Sequence, residues 1–310
     1  MEPQVIISII ILILLAGYVL YLVSSSNSTE YPSPEKVAKS APSQQKLLND
    51  GHILSFLQYE PAVLPMTYSD GLYWVDLVLQ DQYATAGNST GNQPATYRLI
   101  ADSASDVILV PSPNCTDCQG PRWMVQSGAQ ERQLKFQGGQ EVYYQYATAY
   151  SPSLRQNIQI GVMGNGSNYD HGPTLNIFGL MNPALQLHYL TLDFRRSQII
   201  FEASPSVPIN TASIAWSPLQ RLPYWALPVA GVPGVDWIIL DTGTEYVVVD
   251  ESLNLSQGFT FLVGSTTIKV PGNVIRKKKA LVPRSIVLGN IVMRNHNWLL
   301  DFLRMRVAIV

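Results

Sequence analysis

Two aspartates stand in nearly the same local sequence, and their types and spacing are the ones best suited to chemistry. Asp102 lies in YRLIADSASDVILVPS and Asp241 in DWIILDTGTEYVVVDE. Each follows an apolar run. Each precedes Ser or Thr, then a small residue, then another Ser or Thr, and leads into a second apolar run. A carboxylate on a tight loop between buried strands is costly unless it is hydrogen-bonded. Small neighbours let a second backbone approach it closely. Two such loops, brought together, place two carboxyls side by side. These cannot both ionise easily, so they share a proton. The ionised member can take a proton from water while the other protonates a carbonyl.

Such a pair needs elements that deliver both loops symmetrically. Residues 176–201, NIFGLMNPALQLHYLTLDFRRSQIIF, resemble residues 285–310, SIVLGNIVMRNHNWLLDFLRMRVAIV. Each copy is an apolar stretch ending at Gly, a polar turn, a strand ending in Asp-Phe and a last apolar strand. The order Asp loop, Gly loop, Asp loop, Gly loop is a tandem duplication. Frequent Val, Ile, Thr and Tyr runs among 21 Gly and 21 Pro predict short strands and many turns. The predicted fold class is all-β. Beyond the first sixty or so residues the chain is long enough for two fused units, since single cores stop growing near ~250–300 residues.

Apolar residues make up 46% of the chain and charged residues 14%, with a net charge of −2. That balance supplies a core and gives no electrostatic case for a nucleic-acid partner. The two cysteines, Cys115 and Cys118, form a CxxC pair. Such a pair can be a redox dithiol, half a zinc site or a small structural disulfide. The four histidines, His52, His171, His188 and His296, lack ligand spacing, and a thioredoxin-like βαβ context is absent, so the disulfide is the favoured reading. No metal and no cofactor are expected.

Residues 1–4 form a short tail. Residues 5–23, VIISIIILILLAGYVLYLV, carry no charge and suit a bilayer span. Their length and the lack of a preceding Lys or Arg favour an uncleaved anchor over a signal peptide. Residues 24–60, rich in Ser, Pro, Gln and Asn, read as a stalk, with a short apolar segment near Ile53 to Phe56. The predicted placement is a single-pass membrane protein anchored at its N-terminus. Five sequons, at Asn27, Asn88, Asn114, Asn165 and Asn254, are glycosylation candidates. Together with a disulfide they point to a lumenal or extracellular body. The first cations after the span, Lys36 and Lys39, pull weakly the other way.

From about residue 64 to residue 310 the chain resembles the pepsin-like aspartic proteases. Ile238-Ile239-Leu240-Asp241-Thr242-Gly243-Thr244 matches the second active-site motif of that family in full. Asp102-Ser103-Ala104-Ser105 matches the first less closely, with Val110-Pro111-Ser112 and then Cys115 following the family's pattern downstream. Ile177-Phe178-Gly179 and Val287-Leu288-Gly289 match its paired loops beneath the aspartates. The resemblance implies a bilobal fold of two pseudo-twofold-related β-barrel-like lobes, at residues 61–202 and 203–310. It implies that Asp102 and Asp241 hold the attacking water. Ser103 and Thr242 then hydrogen-bond across the interface, and Ser105 and Thr244 donate to the outer carboxylate oxygens, beside Gly243. It also implies a flap hairpin closing over the cleft, with Phe136, Gly138 and Gly139 near its tip and a returning strand from Val142 to Tyr150.

The departures are specific. Ala104 stands where the family has Gly. Phe136 replaces the usual flap tyrosine and Leu109 its tryptophan partner, so both sides of that hydrogen bond are lost together and no polar group is orphaned. The Asp241–Gly289 stretch is much shorter than the Asp102–Gly179 stretch, so the second lobe is trimmed. Two functions follow. One is an aspartic endopeptidase that binds an extended polypeptide by strand-like hydrogen bonds. The other is an inactive relative keeping the fold for binding or scaffolding at a membrane. Other signals read as structure. GxSxG at Gly87–Gly91 has polar flanks instead of a strand and helix. Arg276–Lys279 is a solvated basic run, Tyr143, Tyr144, Tyr146 and Tyr150 are strand packing, and Asp193 and Asp301 close turns.

Overall fold

The structure is a computed structural model. It describes residues 61–81, 93–116, 118–124, 131–135, 141–164, 176–185, 188–202, 213–222, 224–278 and 282–310. The segment 5–23, the stalk and the Gly87–Gly91 string lie outside the described residues. Among the described residues no helix is long and apolar enough to cross a membrane. They belong to a compact unit spanning Gln58–Val310. The described residues are all-β, with 55% in strand and 5% in helix.

Burial patterns explain the strands. In Leu72–Asp81, Tyr73, Val75, Leu77 and Leu79 point inward and alternate with more exposed residues. That period of two is the signature of a strand with one face in the core. Four shorter strands differ. Ile108–Pro111, Ile177–Gly179, Val247–Val249 and Ser285–Leu288 are buried at every position. Continuous apolar runs of this kind belong to strands covered on both faces. These are the strands that hold the aspartate loops.

The two halves repeat one pairing scheme. Ala95–Asp102 runs parallel to Ile177–Gly179, which pairs antiparallel with Ile108–Pro111. Ile108–Pro111 in turn runs parallel to Gln156–Met163. In the second half Trp237–Leu240 runs parallel to Ser285–Leu288, which pairs antiparallel with Val247–Val249. Val247–Val249 then runs parallel to Ile275–Lys277. The sharp turns after Gly179 and Gly289 need glycine. A Cβ on Gly179 would lie 2.5 Å from the Val107 carbonyl oxygen, and one on Gly289 would lie 2.2 Å from that of Tyr246.

The halves meet in a shared sheet. Hairpin Tyr189–Asp193/Gln198–Glu202 pairs through its first strand with the first strand of hairpin Trp298–Asp301/Arg306–Ile309. Thr191 faces Leu299 at the centre, with Leu190 opposite Leu300 on one side and Leu192 opposite Trp298 on the other. This register is its own image under a local twofold at the Thr191–Leu299 pair. Asp193 and Asp301 occupy equivalent turns and accept the backbone N–H of Arg196 and Arg304, each at 3.0 Å. One apolar core spans both halves, with Leu77, Leu99, Ile160 and Phe178 from the first and Leu240, Ile268, Leu288 and Trp298 from the second.

Candidate active site

Strand Ala95–Asp102 ends at Asp102, and strand Trp237–Leu240 ends one residue before Asp241. The two loops that follow lock onto each other. The Ser103 N–H donates to Thr242 Oγ1 at 3.0 Å, and the Thr242 N–H donates to Ser103 Oγ at 3.0 Å. Each hydroxyl then donates onward. Ser103 Oγ reaches the Leu240 carbonyl at 2.9 Å, and Thr242 Oγ1 reaches the Ala101 carbonyl at 2.6 Å. Ser103 and Thr242 are almost fully buried, and these four hydrogen bonds satisfy the N–H and the hydroxyl of both.

Each aspartate receives the same two donors. The Ala104 N–H donates to Asp102 Oδ1 at 2.8 Å, and the Gly243 N–H donates to Asp241 Oδ1 at 2.8 Å. Ser105 Oγ donates to Asp102 Oδ2 at 2.5 Å, and Thr244 Oγ1 donates to Asp241 Oδ2 at 2.7 Å. The crossing is tight enough that a Cβ on Gly243 would stand 2.6 Å from Asp102 Cγ. Ala104, in the matching position, has room for its methyl group. That group packs against Ala226, Ile239, Val248 and Val287.

Burial raises both carboxyls above the ordinary carboxylate range. For Asp102, the Ser105 hydroxyl, the Ala104 N–H and a bond to Asp241 oppose the rise. For Asp241, the Asp102 charge adds to burial and pushes the group up to about 8. The bond between the two carboxyls lowers Asp102 and raises Asp241. The two carboxyls therefore titrate as one coupled pair, in which the bond between them favours the proton on the Asp241 side.

Strands Glu131–Lys135 and Glu141–Ser151 run antiparallel, with Lys135 opposite Glu141. Phe136, Gly138 and Gly139 lie outside the described residues. Cys115 and Cys118 form a disulfide, with Cα atoms 5.5 Å apart, in a small cluster with Val107, Leu109 and Tyr144. Asn114 is exposed on a turn and Asn254 is exposed in a loop, and the other three sequons lie outside the described residues. Among the described residues no group of His, Cys, Asp and Glu is placed to hold a metal ion.

Several residues near the pair were not singled out by sequence. Asn290, fully buried, donates through Nδ2 to the Thr242 carbonyl at 2.7 Å and to the Gly71 carbonyl at 3.3 Å. Its signal was the polar residue after Gly289, where the first half has Leu180. Tyr224 packs on the same apolar cluster as Ala104, and its phenol is raised by burial and then by the charges of Asp241, Asp102 and Asp106. Its signal was an aromatic pair, Tyr224-Trp225, one strand before Asp241. Asp106 and Glu245 are acidic residues four positions past each aspartate, a repeat visible in the sequence.

No protein-family model matches the chain, and no curated protein matches it.

Proposed function

We propose that this chain is a pepsin-like aspartic endopeptidase of two β lobes, with Asp102 and Asp241 as its catalytic pair. The observation that carries the reading is the reciprocal lock of the two loops, which gives both buried carboxyls matched donors while leaving one proton between them. Ionised Asp102 takes a proton from a water held between the carboxyls. The resulting hydroxide oxygen forms a bond to the carbonyl carbon of an extended polypeptide, and the proton on Asp241 passes to the carbonyl oxygen. The tetrahedral intermediate collapses with cleavage of the C–N bond: the proton held by Asp102 goes to the leaving nitrogen, and one hydroxyl of the intermediate returns its proton to Asp241 as the new C=O forms, which restores the starting pair. Proton transfer through positioned groups of this kind contributes about 10²–10⁴-fold to rate. The Ala104 methyl is compatible with this chemistry, because its N–H reaches Asp102 at the same distance as that of Gly243 reaches Asp241.

The proposed setting is a membrane, through residues 5–23, with the body lumenal or extracellular. The Cys115–Cys118 disulfide and the exposed Asn114 and Asn254 sequons support that side.

The test is peptide-library cleavage by the full-length chain in detergent, from pH 3 to 9, beside Asp241→Asn. Cleavage is expected in wild type only. Its acid limb follows protonation of Asp102, and its alkaline limb follows loss of the Asp241 proton near pH 8. A folded wild-type chain that cuts nothing at any pH overturns the reading and leaves an inactive scaffold.

A further inference from the structure

One carboxylate at this site has no part in the reaction above. Asp106 follows Ser105, whose hydroxyl holds Asp102, and it is exposed. Its neighbours fix where it sits. Ala104, two residues before it, packs with Tyr224 on the cluster of Ala226, Ile239, Val248 and Val287. Val107, one residue after it, packs with Tyr144 on the cluster of Leu109, Val142, Met163 and Ile177. Val107 and Tyr144 both close over Gly161, where a Cβ would meet Tyr144 Cδ2 at 2.7 Å and Val107 Cγ1 at 2.9 Å. Asp106 thus stands at the outer end of the Asp102 loop, between Tyr144 and Tyr224. Its charge is among the causes that raise both phenols, after burial in each case.

The surroundings leave the Asp106 charge available. Among the described residues it forms no ion pair. Arg132 stands opposite Tyr144 in the register, and its guanidinium lies over the Tyr146 ring at 5.2 Å. Asp106 therefore adds its charge to that of the catalytic pair, beside two phenol rings that also favour cations.

We propose that Asp106 is a specificity determinant that selects polypeptides carrying Lys or Arg within about two residues of the scissile bond. This rests on the endopeptidase reading for the cut itself, and on the cleft alone for the charge selection. The second aspartate loop carries the equivalent acid, Glu245, but that side chain is spent differently. It covers the Asp70–Gly71 turn, so that a Cβ on Gly71 would lie 2.5 Å from Glu245 Cδ. The selection is therefore one-sided, toward the Asp102 end of the cleft.

The experiment compares full-length wild type, Asp106→Asn and Asp106→Lys on matched peptides that differ only in Lys, norleucine or Glu beside the cut. Wild type is expected to favour the Lys peptide about threefold to fivefold in kcat/KM. That ratio shrinks in 0.5 M salt. It falls to near one in Asp106→Asn and inverts toward the Glu peptide in Asp106→Lys. A Lys preference that survives in both variants, or a wild type that cuts all three peptides equally, overturns the proposal and leaves the endopeptidase reading intact. A binding arm separates the two failures. Intact peptides are titrated onto Asp241→Asn and onto Asp241→Asn combined with Asp106→Asn. If wild type cuts nothing but the Lys peptide binds more tightly only where Asp106 is present, the endopeptidase reading fails and the charge selection stands. If no charge preference appears in binding or in cleavage, the proposal fails.

Discussion

The Asp241 carboxyl stores a pH dependence that an isosteric change should remove. Burial, with the Asp102 charge added, raises it from 3.8 to about 8. Between those values the folded chain holds a proton that the unfolded chain releases. Stability is then greatest below pH 3.8 and falls as pH rises toward 8. At pH 7 the unfolded value lies about three units below, and each unit is worth ~1.36 kcal/mol, which sets a ceiling near 4 kcal/mol. Asp241 is partly open to water, and screening reduces the working figure to about 2 kcal/mol. Asp241→Asn keeps the shape. Its amide oxygen can accept from the Gly243 N–H, and its NH₂ can donate to Thr244 Oγ1, whose hydroxyl rotates to accept. Thermal unfolding of both proteins from pH 3.5 to 8 is the assay. The variant should match wild type at pH 3.5 and unfold roughly 4–8 °C higher at pH 7. Titrating groups away from the pair contribute equally to both and cancel in the difference, so the difference reports the coupled pair. A wild type that gains stability relative to the variant as pH rises would falsify the shared-proton account.

Three further perturbations probe the loops and the shared sheet. Gly243→Ala drives a methyl into Asp102, which is pinned by Ser105 and Ala104, so a loss of about 1–3 kcal/mol and of turnover is expected. Ala104→Gly, where the methyl has space, should shift stability by under ~1 kcal/mol. Equal effects from the two, in denaturant unfolding and peptide cleavage, would contradict the asymmetry. Thr242→Val strands the Ser103 N–H and the Ala101 carbonyl in a buried junction, at a cost of roughly 1–3 kcal/mol. A double-mutant cycle with Ser103→Ala should show coupling above ~0.5 kcal/mol, and additive losses would mean the two loops do not act as one. Asp301→Asn removes the partner of Arg306 at 2.8 Å and of Arg304 at 3.3 Å from a site with no solvent exposure. Unfolding should lose about 2–4 kcal/mol while kcat stays unchanged, because Asp301 serves the shared sheet.

The repeat was legible because duplication writes the same burial pattern twice. YRLIAD and DWIILD each end a strand at an aspartate, and IFG and VLG each place a glycine where carbonyls of the aspartate loop press against it. The Ser103–Thr242 lock and the Ser105 and Thr244 donors were expected only through the resemblance to the pepsin-like proteases, and the hydrogen bonds described above join those residues. Asn290, Tyr224 and Asp106 were harder to see. Nothing local marks Asn290 as the donor to the Thr242 carbonyl, because that partner comes from the other end of a buried loop. Tyr224 reaches the pair only through the hairpin that pairs it beside Trp237–Leu240. The basic run at 276–279 read as loop, yet Ile275–Lys277 is an edge strand, with Arg276 stacked over Tyr246 at 4.1 Å. Its pairing partner, Val247–Val249, lies nearly thirty residues upstream, so the residues beside it carried no sign of the strand.

On the endopeptidase reading proposed above, the departures from symmetry, more than the symmetry, assign the two aspartates their roles. A perfect twofold would leave Asp102 and Asp241 with equal affinities for the shared proton. Two substitutions break that tie. Ala104 in place of a second glycine adds an apolar group that packs into the second half, so apolar atoms crowd the pair from the cluster beneath Asp241. The Ser105 hydroxyl is the largest influence holding Asp102 down, whereas at Asp241 the Asp102 charge outweighs the Thr244 hydroxyl. A hydroxyl donor favours the ionised form. Both differences act in one direction, toward charge on Asp102 and the proton on Asp241. The same break extends outward, where Asp106 stays exposed and Glu245 folds over a turn. Ser105→Ala is therefore the change that should move the proton. Removing that donor raises Asp102, and the acid limb of the pH–activity profile should shift upward while the alkaline limb near pH 8 moves less. A profile that keeps its acid limb in Ser105→Ala would mean that Asp102 is not the base.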